Sequence, residues 1–122
     1  MTFREIMTSI VDGTPGALAG AVMGADGIAI EEYTRTESSL ELTAVAIEFQ
    51  RVLEQARKVC GALYRDGERG LEELILVTPE HQLYFREIDD EYFMVLALDP
   101  TGVLGKARYS VRNVLDELRT QL

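Results

Sequence analysis

Few side chains in this sequence have the types and spacing that chemistry requires. His81 is the single histidine, and it follows Pro79-Glu80 at the head of an extended run. A Ser/His/Asp or Cys/His centre would need that imidazole beside an activated nucleophile. No G-x-S-x-G element occurs, so His81 reads as a solvated turn residue. Cys60, the lone cysteine, falls on an apolar helical stripe and reads as a buried, unreactive thiol. One cysteine can build neither an internal disulfide framework nor a cysteine-based zinc site. Asp89-Asp90-Glu91 offers three carboxylates, but a hard cation takes roughly six or more oxygens in a fixed array, so this run reads as a solvated turn. The glycines of Gly13-Thr14-Pro15-Gly16 and the Gly20/Gly24 pair lack the Lys-Ser/Thr of a P-loop and the G-x-G of a dinucleotide site. Arg51, Arg57 and Arg65 read as solvated helix arginines. The expectation is therefore no catalytic residue, no metal and no cofactor.

The elements that carry the remaining surface follow from periodicity. Phe3, Ile6, Met7 and Ile10 share one helical face, with Thr2 and Glu5 in capping-box relation and Asp12-Gly13-Thr14-Pro15-Gly16 as the stop. The runs at 17–23 and 28–33 flank Gly24-Ala25-Asp26-Gly27, a hairpin signal. Small residues throughout the first run predict a strand crowded on both faces. Ser38 and Glu41 form a second capping-box pair. Leu42, Val45, Phe49, Leu53, Ala56, Val59, Cys60 and Leu63 then predict the core stripe of a long helix ending at Asp66-Gly67. Gly61 inside it costs about 1 kcal/mol relative to alanine and suggests a close backbone contact. Three strands follow, at 71–78, 81–88 and 92–98. Leu74-Ile75-Leu76-Val77 and Met94-Val95-Leu96-Ala97-Leu98 are continuous apolar runs, the pattern of strands covered on both faces. The middle strand alternates, Leu83 and Phe85 against Tyr84 and Arg86. A last helix carries Leu104, Ala107, Val111, Val114, Leu115, Leu118 and Leu122 on one stripe. The order α-β-β-α-β-β-β-α, with short connections, predicts a three-layer α/β/α sandwich around a five-stranded antiparallel sheet.

Composition bounds the partners. The chain's 122 residues are 47% hydrophobic, which fits one domain over residues 1–122 and excludes general disorder. Twenty-one acidic residues against 12 basic ones leave a net charge of −9, a surface that repels phosphate backbones, so no nucleic-acid partner is expected. No apolar stretch reaches the roughly 18 residues of a bilayer span. The start Met1-Thr2-Phe3-Arg4-Glu5-Ile6 lacks the basic region and apolar block of a secretory signal. Together these predict a cytoplasmic protein without membrane insertion.

Two surfaces stand out. On the long helix, opposite the core stripe, lie Ala44, Ile47, Arg51, Glu54, Lys58 and Ala62. Ile47 among alanines offers a strip for a second helix, with Arg51, Glu54 and Lys58 pairing across a two-fold axis; scattered surface apolars of no consequence are the alternative. The strand at 71–78, with Leu74, Ile75 and Val77, is reached by a crossover. Placed at a sheet edge, it would pair with a partner or invite aggregation.

With this order in hand, the sequence resembles the Roadblock/dynein-light-chain family, particularly its MglB-like branch. The resemblance runs over the whole chain. It rests on the opening helix, on 17–23 with Ala25-Asp26-Gly27-Ile28-Ala29-Ile30, and on the long helix before Leu74-Ile75-Leu76-Val77. The segment Asp99-Pro100-Thr101-Gly102-Val103-Leu104-Gly105-Lys106-Ala107-Arg108 before the final helix completes it. The resemblance implies a profilin-like/Roadblock fold and a dimer, with itself or a paralogous Roadblock chain, made by pairing the third strands and packing the long helices. It further implies a platform for a Ras-like small GTPase. MglB-like members activate GTP hydrolysis by remodelling the GTPase's own switch regions; the family pattern supplies no catalytic residue. The expected function is thus a non-catalytic dimeric regulator. A scaffold subunit without effect on GTP turnover and a small-molecule sensor are the alternatives, the latter requiring an internal pocket.

Overall fold

The computed structural model describes residues 2–35, 40, 42, 46–63 and 70–122, with the backbone alone at 46 and 47. Its elements are α1 (Phe3–Gly13), β1 (Ala17–Gly24), β2 (Ala29–Thr34), α2 (Ala46–Leu63), β3 (Glu73–Val77), β4 (Gln82–Glu87), β5 (Tyr92–Leu98) and α3 (Leu104–Gln121). The expected element order and fold class hold. All strand pairs are antiparallel, and the sheet order is β2-β1-β5-β4-β3. The long connection through α2 carries the chain from one edge of the sheet to the other.

Local chemistry sets the element boundaries. Thr2 accepts a hydrogen bond from the Glu5 amide at 3.2 Å, capping α1. Thr14 ends α1, its hydroxyl donating to the Ile10 carbonyl at 2.7 Å. Gly16 follows at φ +82°, and a Cβ there would stand 2.4 Å from the Gly102 Cα. Only glycine permits that left-handed turn against a second backbone. The contact lets Asp99 N–H reach the Gly16 carbonyl at 2.8 Å and Val103 N–H the Pro15 carbonyl at 3.1 Å.

Two apolar layers sandwich the sheet. On one face α1 and α3 bury Ile6, Met7, Ile10, Val11, Ala107, Val111, Leu115 and Leu118 against Tyr84, Met94, Leu96 and Leu98. On the other, Phe49 and Leu53 of α2, with Leu42, cover Ala19, Ala21, Met23, Phe85, Phe93, Val95 and Ala97. Each large side chain so buried contributes about 1.5–3 kcal/mol. β1 is covered on both faces, as its small residues predicted. Gly20 shows how tightly: a Cβ there would meet Met7 Cε at 2.5 Å and Leu96 Cδ2 at 2.8 Å.

Several expectations are corrected. Val59 and Leu63 are not core residues but exposed, and Cys60 is half-exposed. They fall on the flank of α2 that carries Val52, turned away from Phe49 and Leu53, and among the described residues no strand lies beyond β3. Likewise Leu74-Ile75-Leu76-Val77 is not covered on both faces. Leu74 and Leu76 pack against the α2 layer, while Ile75 and Val77 are exposed. Gly61 makes no close contact, since a Cβ there meets nothing within 4 Å. Leu122 ends its stripe in solvent at the chain terminus. Ser38, Glu41, Val45, Arg65, Asp66 and Gly67 lie outside the described residues.

Candidate interaction surface

β3 is the outermost strand on its side of the sheet. Its register with β4, Leu74 opposite Phe85 and Ile75 opposite Tyr84, sends alternate side chains to opposite faces. Leu74 and Leu76 therefore join the layer under α2. Ile75 (36% exposed) and Val77 (73%) project on the α3 side, at the margin of the sheet.

Above this edge runs one flank of α2. Positions 52, 59 and 63 fall within about 40° of one another on the helix, and Val52 (39% exposed), Val59 (63%) and Leu63 (70%) form an apolar line there. Between that flank and the sheet lies an open groove of 340 Å³ lined by Leu40, Leu42, Phe49, Val52, Leu76 and Leu83, with Glu48, Thr78 and His81 also at its wall. The sensor reading asked for an internal pocket; this is a surface groove with few polar groups.

Side-chain bonds fix both elements. On α2's opposite flank, Arg57 donates to the Glu87 carboxylate of β4 from Nη2 at 2.8 Å and Nε at 3.1 Å. Burial raises the Glu87 pKa, Arg57 partly offsets it, and Asp90 and Asp89 add to the rise. At the head of β3, Glu73 Oε2 accepts from the Tyr84 hydroxyl at 2.8 Å and from Arg108 Nε at 3.2 Å, and Arg108 also pairs with Oε1. Burial pushes the Glu73 carboxyl up, but the bonds from Tyr84 and Arg108 outweigh it and hold the group below its ordinary value. Burial and the bond to Glu73 push the Tyr84 phenol up to about 12. β3 is thus tied to β4 and α3 on its inner side, and no strand among the described residues pairs with its outer margin.

Of the residues singled out from sequence, Leu74, Ile75 and Val77 meet at this edge. Arg51, Glu54 and Lys58 are exposed, and Arg51 pairs with Glu48 at 3.5 Å. Ala44 and the side chain of Ile47 lie outside the described residues. Val52, Val59 and Leu63 were missed as surface, because helical spacing placed two of them in the core. Their signal was the excess width of the apolar stripe. Asp89 is exposed, its Oδ1 accepting from the Glu91 and Tyr92 amides at 2.8 and 2.9 Å, the geometry of a capped turn. Among the described residues, no three His, Cys, Asp or Glu side chains are grouped to hold a metal ion. Nor is any helix among them long and apolar enough to cross a membrane.

Comparison with known proteins places this architecture. No protein-family profile and no curated protein sequence matches the chain. Solved structures do. MglC from Myxococcus xanthus is 30% identical, with 100% of both chains covered and a TM-score of 0.72. A Roadblock/LC7 domain from Streptomyces avermitilis superposes at a TM-score of 0.82 over 99% of this chain and 98% of its own, at 12% identity. The gliding protein MglB from Thermus thermophilus gives 0.79 over 91% and 81%, at 18% identity. With its full length shared with MglC at 30% identity and its fold with the Roadblock/LC7 domain and MglB, this chain belongs to the Roadblock/LC7 family.

Proposed function

We propose that this protein regulates a Ras-like small GTPase as a two-chain platform, formed with a second copy or a paralogous Roadblock chain, and contributes no reactive group of its own. The observation that carries this reading is the open β3 edge bordered by exposed apolar residues, Ile75 and Val77 on one side and Val52, Val59 and Leu63 on the other. Strand addition across β3 would satisfy its outward main-chain groups, and helix packing would cover the α2 flank. Leu74, Ile75 and Val77 belong to this contact. Ala44, Ile47, Arg51, Glu54 and Lys58 lie round the helix from it and serve its rim or the GTPase. The likeness to MglB and MglC supports the GTPase as the partner.

Such a platform acts by differential contact. If it binds one switch conformation of the GTPase better than the other, it shifts the population toward that state, and the GTPase's own groups orient the attacking water. Shape and preference between states are needed; an acid–base pair is not.

Single-turnover phosphate release from a GTP-loaded Ras-like GTPase, followed with and without the purified chain, tests the reading. The expected result is a changed rate at stoichiometric protein. Binding with an unchanged rate would replace regulation by scaffolding, and absence of binding would overturn both.

A further inference from the structure

An open five-stranded sheet has two edges, here β3 on one side and β2 on the other. In an antiparallel ladder every second residue turns its N–H and C=O away from the neighbouring strand. A row of such groups is a template for another strand. Along β3, among the described residues, no side chain bonds to the main chain of Glu73–Val77. β2 differs. Arg4, in the first turn of α1, donates from Nη1 to the Glu31 carboxylate at 3.1 Å and to the Glu32 carbonyl at 3.2 Å. The Glu32 amide donates to the same Glu31 carboxylate oxygen at 3.3 Å. Both main-chain polar groups of Glu32 are therefore taken by side chains. Exposed Ile28 and Ile30 lie beside them, so an unguarded β2 would present an apolar margin with free hydrogen-bonding groups.

We propose that Arg4 and Glu31 close the β2 edge to strand addition, confining the approach of a second copy of this chain to β3. The consequence is topological. Copies that join through one edge each form a closed pair, whereas a sheet open at both edges propagates. The inference goes beyond GTPase regulation and does not depend on it.

Arg4→Ala removes the donor and leaves a strong helix former at an exposed position. Sedimentation velocity across a wide concentration range compares the wild type, Arg4→Ala, and Arg4→Ala with Ile30→Lys, circular dichroism verifying that each is folded. The expected result is species of roughly twice the wild-type mass or more in Arg4→Ala, growing with concentration, and their loss when Ile30→Lys is added. If Arg4→Ala fails to fold, Glu31→Thr opens the same edge with a strand-favouring residue. Folded edge variants that keep the wild-type mass at every concentration would overturn the proposal. So would extra association that survives Ile30→Lys. A monomeric wild type would count against the two-chain platform but leave this comparison intact.

Discussion

Glu73, Tyr84 and Arg108 form a polar cluster at the head of the exposed edge strand, and its protonation follows from its surroundings. The Glu73 carboxylate is held below its ordinary value, so its contribution to stability is present above pH 4.5 and is lost as pH falls through the depressed value. Tyr84 has the opposite sense. Its phenol stays protonated in the fold to about 12, so its contribution is complete below pH 10 and fades as pH rises through the folded value. The cluster is therefore in one state across the neutral range. Alkaline titration followed by tyrosinate absorbance should show a late component from Tyr84, and Tyr84→Phe should remove it. A titration unchanged by Tyr84→Phe at its alkaline end would contradict the bond to Glu73.

Among the elements, two glycines answer in opposite directions to the same change. Gly20 lies where α1 and β5 crowd β1, with Met7 Cε and Leu96 Cδ2 inside 3 Å of any Cβ. Gly20→Ala should destabilise the chain by about 1–3 kcal/mol, the usual cost of overpacking. Gly61 lies in α2 with open space around its missing Cβ, so Gly61→Ala should stabilise by about 1 kcal/mol through helix propensity alone. Urea midpoints of the two variants test both signs. Periodicity read α2 as a helix with one buried stripe, and for Phe49 and Leu53 that was right. It could not show that the stripe was wider than the sheet beneath it. Arg57 bonded to Glu87 ties one flank to β4, while Val52 on the other lines a groove with Leu76 of β3.

For the molecule as a unit, the asymmetry of its two sheet edges is the decisive property. A carboxylate at Val77 costs little in the free chain, where the side chain is largely exposed. In a β3-to-β3 contact that carboxylate would be taken out of water at the seam. Val77→Glu should therefore weaken self-association about tenfold or more while the chain stays folded, and Ile75→Glu should act in the same direction. Light scattering over a dilution series measures this, and an unchanged association constant would place the contact elsewhere. The net charge of −9 adds long-range repulsion between copies, so added salt should strengthen association of the wild type.

The order of elements, the antiparallel hairpins and the two-sided burial of β1 were legible in the residues alone. These depend on periodicity, turn residues and side-chain size, all local along the chain. The edge strand at Leu74-Ile75-Leu76-Val77 was legible as a possibility because a crossover precedes it. Which apolar residues are core and which are surface depended on the assembled fold. Val59 and Leu63 have the same helical spacing as Phe49 and Leu53, yet only the latter pair meets the sheet. The guard at β2 was equally hidden, since Arg4 and Glu31 are 27 residues apart and meet only when α1 lies against β2. Local spacing selects a face, but only the extent of the opposing surface decides how much of that face is covered.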